Sequence, residues 1–429
     1  MSPAREAALR AVTLVRKGKF MSEAVDEAVR AFKLDRRDAA LCSRIVHEAV
    51  SNRGYICSVL ESRSKLPMNR LEYVVYDILV IGAAQLLFMD RIPPSAAVNE
   101  AVELCRKYEG ERATSYVNGV LRRVAENRGE PPEIFKTVSG AEYLGFRYTL
   151  SRWIAEDFVR RRGYEGAEAL CRANNAEPPL TIQVNTLKTS SAELSAALRA
   201  AGIEAAPGLL PDSFDLPPSG LISALPGYDE GHFYVQDAAA RLAVEAAAPE
   251  KGMSVLDACS APGGKSFAAA IRMGGEGSIL ACDLKEKRLK RVAEGAKRLG
   301  LEGMIECRAM DARMPGEELQ GRFDVVIADA PCSGFGVMRR KPEIRYKTDY
   351  ETASLPAIQL AILSGLAPCV KPGGTLLYST CTLLERENED VARAFLAGNE
   401  GFTVTEQRTL WPDIDKTDGF FICRMVKSI

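Results

Sequence analysis

The chain has 429 residues, 47% hydrophobic and 26% charged, which suits two or three soluble globular domains that each bury a core. Its formal net charge of −1 excludes a field over the whole molecule that would draw it to a polyanion. Eleven cysteines, odd in number and without a Cys-x-x-Cys pair, stand beside only two histidines, His47 and His232; this predicts free thiols in a reducing cytoplasmic compartment, no metal site, and no ready Cys–His dyad.

Residues 3–127 read as helices throughout. "PAREAALRAVTLVRKGKF", "SEAVDEAVRAF", "DAALCSRIVHEAV" and "SYVNGVLRRVAEN" place apolar residues at three- and four-residue spacing. The start shows no signal-peptide pattern. The most apolar run, "LEYVVYDILVIGAAQLLFM" (71–89), is interrupted by Glu72, Asp77 and Gln85; it predicts a buried core helix, and no membrane contact is expected. Residues 1–130 hold 21 Lys and Arg against 17 Asp and Glu, so any polyanion contact is expected there. "NRGEPPE" (127–133) breaks the helical pattern. The stretch 140–245 predicts a small α+β module: helices in "SRWIAEDFVRRRG" and "EGAEALCRANN", a strand in "PLTIQVNTLK", and a capped helix in "SSAELSAALRAAG" ending at Gly202. From 246 to 429 short strands ("MSVLDAC", "SILACDL", "MIECRAM", "FDVVIADA", "TLLYSTC") alternate with helices, predicting βαβ units and a mostly parallel sheet.

"LDACSAPGGKSFAAA" (256–270) is a strand, a glycine turn and a helix. A P-loop would need glycine where Cys259 stands, although Gly264, Lys265 and Ser266 fit its end. A Gly-x-Gly-x-x-Gly fingerprint is absent. The third reading is S-adenosylmethionine, a cationic ligand with an amino group and ribose hydroxyls, which asks for carboxylates and a close backbone turn. Asp257, Asp283, Asp311 and Asp329 close four successive strands, where doubly wound folds bind ligands. This pattern favours the third reading. Its expected contacts are Asp257, Cys259, Ser260, Ala261, Pro262, Gly263, Gly264 and Lys265 in the turn, with Asp283, Arg288, Asp311 and Asp329 beyond it.

Two cysteines end strands, Cys332 in "DAPCSG" and Cys381 in "YSTCT". A thiol beside a methyl-donor site suits methylation at a pyrimidine C5. That carbon is a poor nucleophile until a thiolate adds to C6, and covalent catalysis splits the hard step.

"DACSAPGGKS", "DAPCSGFGVMRRKPEIRY" and "YSTCTLLEREN" resemble the motifs of RNA cytosine-C5 methyltransferases with two active-site cysteines. The helical start with "YVNGVLRRV" resembles the NusB-like RNA-binding module. The combination, with "GHFYVQD" (231–237) and "DGFF" (418–421), resembles the bacterial enzymes that act on small-subunit (16S) ribosomal RNA. The resemblance implies an all-α NusB-like domain at 1–130, an α+β module at 140–245, and a Rossmann-like S-adenosylmethionine-dependent domain at 246–429. It implies Cys381 as nucleophile and Cys332 in product release. Asp329 is placed to hydrogen-bond cytosine N3, and Lys265 to favour a thiolate. Arg339, Arg340, Lys341 and Arg345 follow "PCSG" and are expected to hold substrate phosphates. Where the family's middle domain usually shows Arg-Val-Asn, this chain has Gln183-Val184-Asn185. A monomer is expected. The competing readings are the same chemistry on tRNA and a non-catalytic RNA-binding assembly factor; keeping Asp283, Asp311, Asp329, Cys332 and Cys381 together argues against the latter.

Overall fold

The computed structural model describes residues 2–217 and 222–429. Its contacts divide into two compact units, Met1–Glu177 with Met338–Thr348, and Pro178–Val337 with Asp349–Ile429.

The first unit is helical: α1 (Pro3–Arg16), α2 (Met21–Ala31), α3 (Arg36–Ser51), α4 (Arg53–Arg63), α5 (Tyr73–Phe88), α6 (Pro94–Glu109), α7 (Glu111–Glu126), α8 (Gly140–Tyr148) and α9 (Arg152–Asn175). Gly163, at φ +67°, breaks α9 in two, which is where the sequence pattern parts. α5 is the expected core helix, buried over most of its length. Its polar interruptions are satisfied inside the unit. Asp77 accepts from Thr13 and pairs with Arg16 at 3.1 Å, and Gln85 Oε1 accepts from Arg5 Nε at 2.7 Å.

The second unit holds two sheets. The smaller, in order β2-β3-β1-β4, joins β1 (Leu180–Val184), β2 (Ala206–Pro207), β3 (Ser213–Leu216) and β4 (Phe233–Val235), with α10 (Ser191–Ala200) between β1 and β2. Ser190 and Glu193 form the capping box that starts α10. The larger sheet follows α11 (Ala238–Ala247). Its elements are β5 (Ser254–Asp257), α12 (Gly264–Arg272), β6 (Ser278–Asp283), α13 (Glu286–Leu299), β7 (Ile305–Ala309), β8 (Phe323–Asp329), α14 (Asp349–Thr352), α15 (Leu355–Leu366), β9 (Val370–Thr380), α16 (Glu389–Ala397), β10 (Phe402–Leu410), α17 (Pro412–Asp415) and β11 (Phe420–Lys427).

Among the described residues this sheet has seven strands, ordered β10-β11-β9-β8-β5-β6-β7. The five from β9 to β7 run parallel, and β11 and β10 close one edge as an antiparallel pair. That pair lies outside the sequence expectation. Both sheet faces are covered, as parallel sheets require. Val255, Ile279, Val325 and Ile327 belong to one apolar cluster, and Leu256, Leu280, Val326 and Ala328 to the other. The strand order reverses between β5 and β8, so the crevice at their carboxyl ends is the ligand-binding position of a doubly wound sheet.

Candidate active site

Asp257 and Asp329 end the two strands that flank this switch point. Asp257 is fully buried. Its Oδ2 accepts from Ser266 Oγ at 2.7 Å, and Ser266 lies 2.9 Å from Ser260 Oγ. Its Oδ1 is buried without a partner. Burial pushes the carboxyl up to about 6, against the pull of the Ser266 hydrogen bond and Lys265. The turn before α12 demands glycine: Gly263 has φ +111°, and a Cβ there would strike the Phe267 ring.

The neighbouring acids differ. Asp283 is buried, pairs with Arg288 Nη1 at 2.9 Å and accepts from Lys285 N at 3.0 Å. Arg288 also donates to the Ala261 carbonyl at 3.1 Å, tying the β6 acid to the glycine turn. Asp311 keeps both oxygens on Arg313; hydrogen bonds from that side chain and its backbone hold the carboxyl below its ordinary value. Cys259 is half-buried, and burial pushes its thiol far up. A bare buried acceptor on Asp257, a second buried carboxylate on Asp283 and a turn with no room for a Cβ fit a ligand carrying an ammonium group and hydroxyls. Asp257, Asp283 and the turn from Cys259 to Gly264 would hold S-adenosylmethionine.

Lys265 points from α12 to Asp329 Oδ2 at 2.6 Å, with its ammonium 5.1 Å from the Phe420 ring centre. Burial lowers its pKa, but Asp329, Asp257 and Cys381 outweigh that and raise it. The other Asp329 oxygen accepts from Ser379 Oγ at 2.9 Å. The carboxylate is therefore fixed from both sides.

Cys332 and Cys381 follow β8 and β9, and their sulfurs lie 3.3 Å apart. Gly336 N donates to the Cys381 carbonyl at 2.9 Å, and Gly419 N to the Gly336 carbonyl at 2.8 Å. Both loops are thus tied to the "DGFF" segment. The hydrogen bond with Cys381, then burial and nearby negative charge, holds the Cys332 thiol well above its ordinary value.

The basic run is corrected in part. Met338–Thr348 belongs to the helical unit. Arg345 is 1% exposed, with its guanidinium on the carbonyls of Ser51 (2.6 Å), Tyr148 (3.2 Å) and Asn174 (3.1 Å) and on Asn175 Oδ1 (2.7 Å). It caps the carboxyl ends of α3, α8 and α9, where carbonyls lack helical partners and the dipole is negative. At that depth it cannot reach a phosphate of a bound strand. Arg339 is buried too, its carbonyl 3.3 Å from His47 Nε2. Arg340 is half-buried and Lys341 exposed.

Gln183 is fully buried on β1. It donates to the Gln236 carbonyl at 3.0 Å and accepts from Arg241 Nη1 at 2.7 Å, so it fastens the β4–α11 connection. Sequence reasoning did not single out Ser379, Glu387, Gln359 or Phe420. Ser379 sits inside "YSTCT" and Glu387 inside "LLEREN", so the motifs contained them without a stated role.

The sheet order, the acids at strand ends and the helical unit define a Rossmann-like methyltransferase fold joined to a NusB-like module. Residues 244–426 match the family model of the 16S rRNA methyltransferases RsmB/F, residues 2–126 the NusB family, and residues 150–217 the ferredoxin-like domain of RsmF/B-like methyltransferases. The chain is 33% identical to the probable ribosomal RNA small subunit methyltransferase B of Bacillus subtilis, over 99% of this chain and 98% of that one. It is 33% identical to the ribosomal RNA small subunit methyltransferase B of Citrobacter koseri, over 92% of each. A solved methyltransferase homolog protein from Pyrococcus horikoshii covers 68% of this chain and 99% of its own, with TM-score 0.60 and 27% identity. The chain belongs to the family of the ribosomal RNA small subunit methyltransferases B.

Proposed function

We propose that this protein transfers a methyl group from S-adenosylmethionine to C5 of a cytosine in small-subunit ribosomal RNA. The carrying observation is the 3.3 Å sulfur pair of Cys332 and Cys381, on the strand ends beside the Lys265–Asp329 ion pair. In this reading Cys381, the cysteine that the resemblance gives as nucleophile and whose charge the buried Lys265 ammonium feels, acts as the thiolate. Its sulfur adds to C6, and the electron pair of the C5–C6 double bond shifts through C4 toward N3, where a proton shared with Asp329 meets the developing charge. S-adenosylmethionine supplies the methyl group that the activated C5 takes. A base then takes the C5 proton, the electron pair of that C–H bond re-forms the C5–C6 double bond, and Cys381 leaves C6 with the C–S pair as a thiolate, with Cys332 assisting this release. Residues 246–429 carry the chemistry in this reading. Residues 1–130 and the exposed Lys341, with Arg340, contribute to RNA contact.

The test is bisulfite sequencing of ribosomal RNA from a deletion strain, together with denaturing gels of variants incubated with RNA. One cytosine is expected to lose its mark on deletion. Cys332→Ala is expected to accumulate a protein–RNA adduct, and Cys381→Ala and the double variant to form neither adduct nor product. An adduct from Cys381→Ala but none from Cys332→Ala would reverse the two roles.

A further inference from the structure

Cys332 lies on a loop, and loops rearrange more easily than strands. Two buried side chains hold this loop on either side of the cysteine. Gln359, on α15, uses both amide hydrogens: Nε2 donates to the Pro331 carbonyl at 3.0 Å and to Glu387 Oε2 at 2.9 Å. Glu387 Oε2 also accepts from Ser333 N at 2.9 Å. The backbone groups just before and just after Cys332 therefore end on one amide–carboxylate pair. Both side chains are fully buried. The amide cannot turn over, because its oxygen would then face a carbonyl and a carboxylate. Tyr378 fixes Glu387 in turn by donating to its carbonyl. Glu387 Oε1 is buried without a partner. A buried carboxylate held only by neutral donors costs stability that an apolar residue would not, so its placement calls for a reason other than packing.

We propose that Glu387 and Gln359 form a clamp that sets Cys332 against Cys381, and that both are positioning residues for release of the methylated RNA. The catalytic half of this inference rests on the reading given under Proposed function. The geometric half does not, and two measurements separate them. Diamide oxidises two neighbouring thiols to a disulfide and takes up their two hydrogens to become a hydrazine. The wild-type protein is expected to yield a Cys332–Cys381 link, read as joined peptides by mass spectrometry. Glu387→Ala and Gln359→Ala are expected to form it at least about tenfold more slowly, within the roughly hundredfold that a 1 Å misplacement can cost. Glu387→Gln offers an amide oxygen to the same two donors and should stay within about twofold of wild type. Circular dichroism checks that each variant is folded; should Glu387→Ala fail, Gln359→Ala carries the test. Unchanged linking rates in the alanine variants overturn the clamp. In the second measurement the alanine variants are expected to accumulate the denaturation-resistant RNA adduct, as Cys332→Ala does, while Glu387→Gln releases it. If Cys332→Ala accumulates adduct and the alanine variants do not, the assignment to release is overturned. If Cys332→Ala itself forms none, the underlying reading fails, and the linking rates still decide the clamp.

Discussion

Asp257 carries two opposing expectations. Its carboxyl titrates near 6 in the fold against an ordinary value of 3.8, so the folded protein binds that proton more tightly than the unfolded chain does. The group therefore favours the fold most below about pH 4, and the advantage is lost as pH rises through about 6. Asp257→Asn should flatten this dependence. At pH 7.5 it should raise the stability of the cofactor-free protein by up to about 3 kcal/mol, measured by urea unfolding; a variant no more stable than wild type would contradict this. The same replacement should abolish cofactor binding. In the wild type, a cationic ligand needs the ionised carboxylate, so its affinity should fall about tenfold between pH 7.5 and pH 5 by calorimetry. An affinity that holds steady over that range would place the amino group elsewhere.

Among the elements, the segment 338–348 is where sequence and structure part. A run of arginines and lysines reads the same whether it faces a phosphate or a helix end, because both are negative and both accept hydrogen bonds. What decides between them is burial against α3, α8 and α9, which are far away in the chain. The acids at the strand ends were legible for the opposite reason. Asp257, Asp283 and Asp329 end their own strands and Asp311 stands two residues past β7, so strand pattern and side-chain chemistry lie within one short window. The Glu387–Gln359 clamp was not legible, since it joins residues from two elements to a loop on a third. Arg345→Met should therefore destabilise the protein by about 3 kcal/mol, from lost charge-assisted hydrogen bonds. It should leave the salt dependence of RNA binding unchanged once the folded fraction is allowed for. Lys341→Ala should do the reverse: little change in stability, and a slope of log affinity against log salt that is shallower by about 0.8. A steeper loss from Arg345→Met than from Lys341→Ala in that slope would restore the sequence reading.

At the scale of the whole molecule, the three family matches follow one another along the chain at 2–126, 150–217 and 244–426. The two compact units do not follow them. α8 and α9 pack with the helical unit, and so does a segment of the methyltransferase match. A fragment beginning at Pro178 would contain Met338, Ile344 and Arg345, all buried in the full chain, without the helices they pack on. Limited proteolysis should cut that fragment between 338 and 348 well before it cuts the intact protein there. Equal resistance would mean that the segment is held by the second unit alone.

The guanidinium of Arg345 reaches a carbonyl 294 residues earlier in the chain, and this has a consequence for synthesis on the ribosome. The helices it caps emerge first. At about 5–20 residues per second, roughly ten to thirty seconds pass between the end of α9 at Asn175 and the capping side chain 170 residues later. Throughout that interval the nascent helical unit has three helix ends whose carbonyls must find water. An isolated 1–177 fragment reproduces this waiting state, and a synthetic peptide of residues 338–348 supplies what it awaits. Adding that peptide should raise the fragment's unfolding midpoint, and a peptide with methionine in place of Arg345 should not.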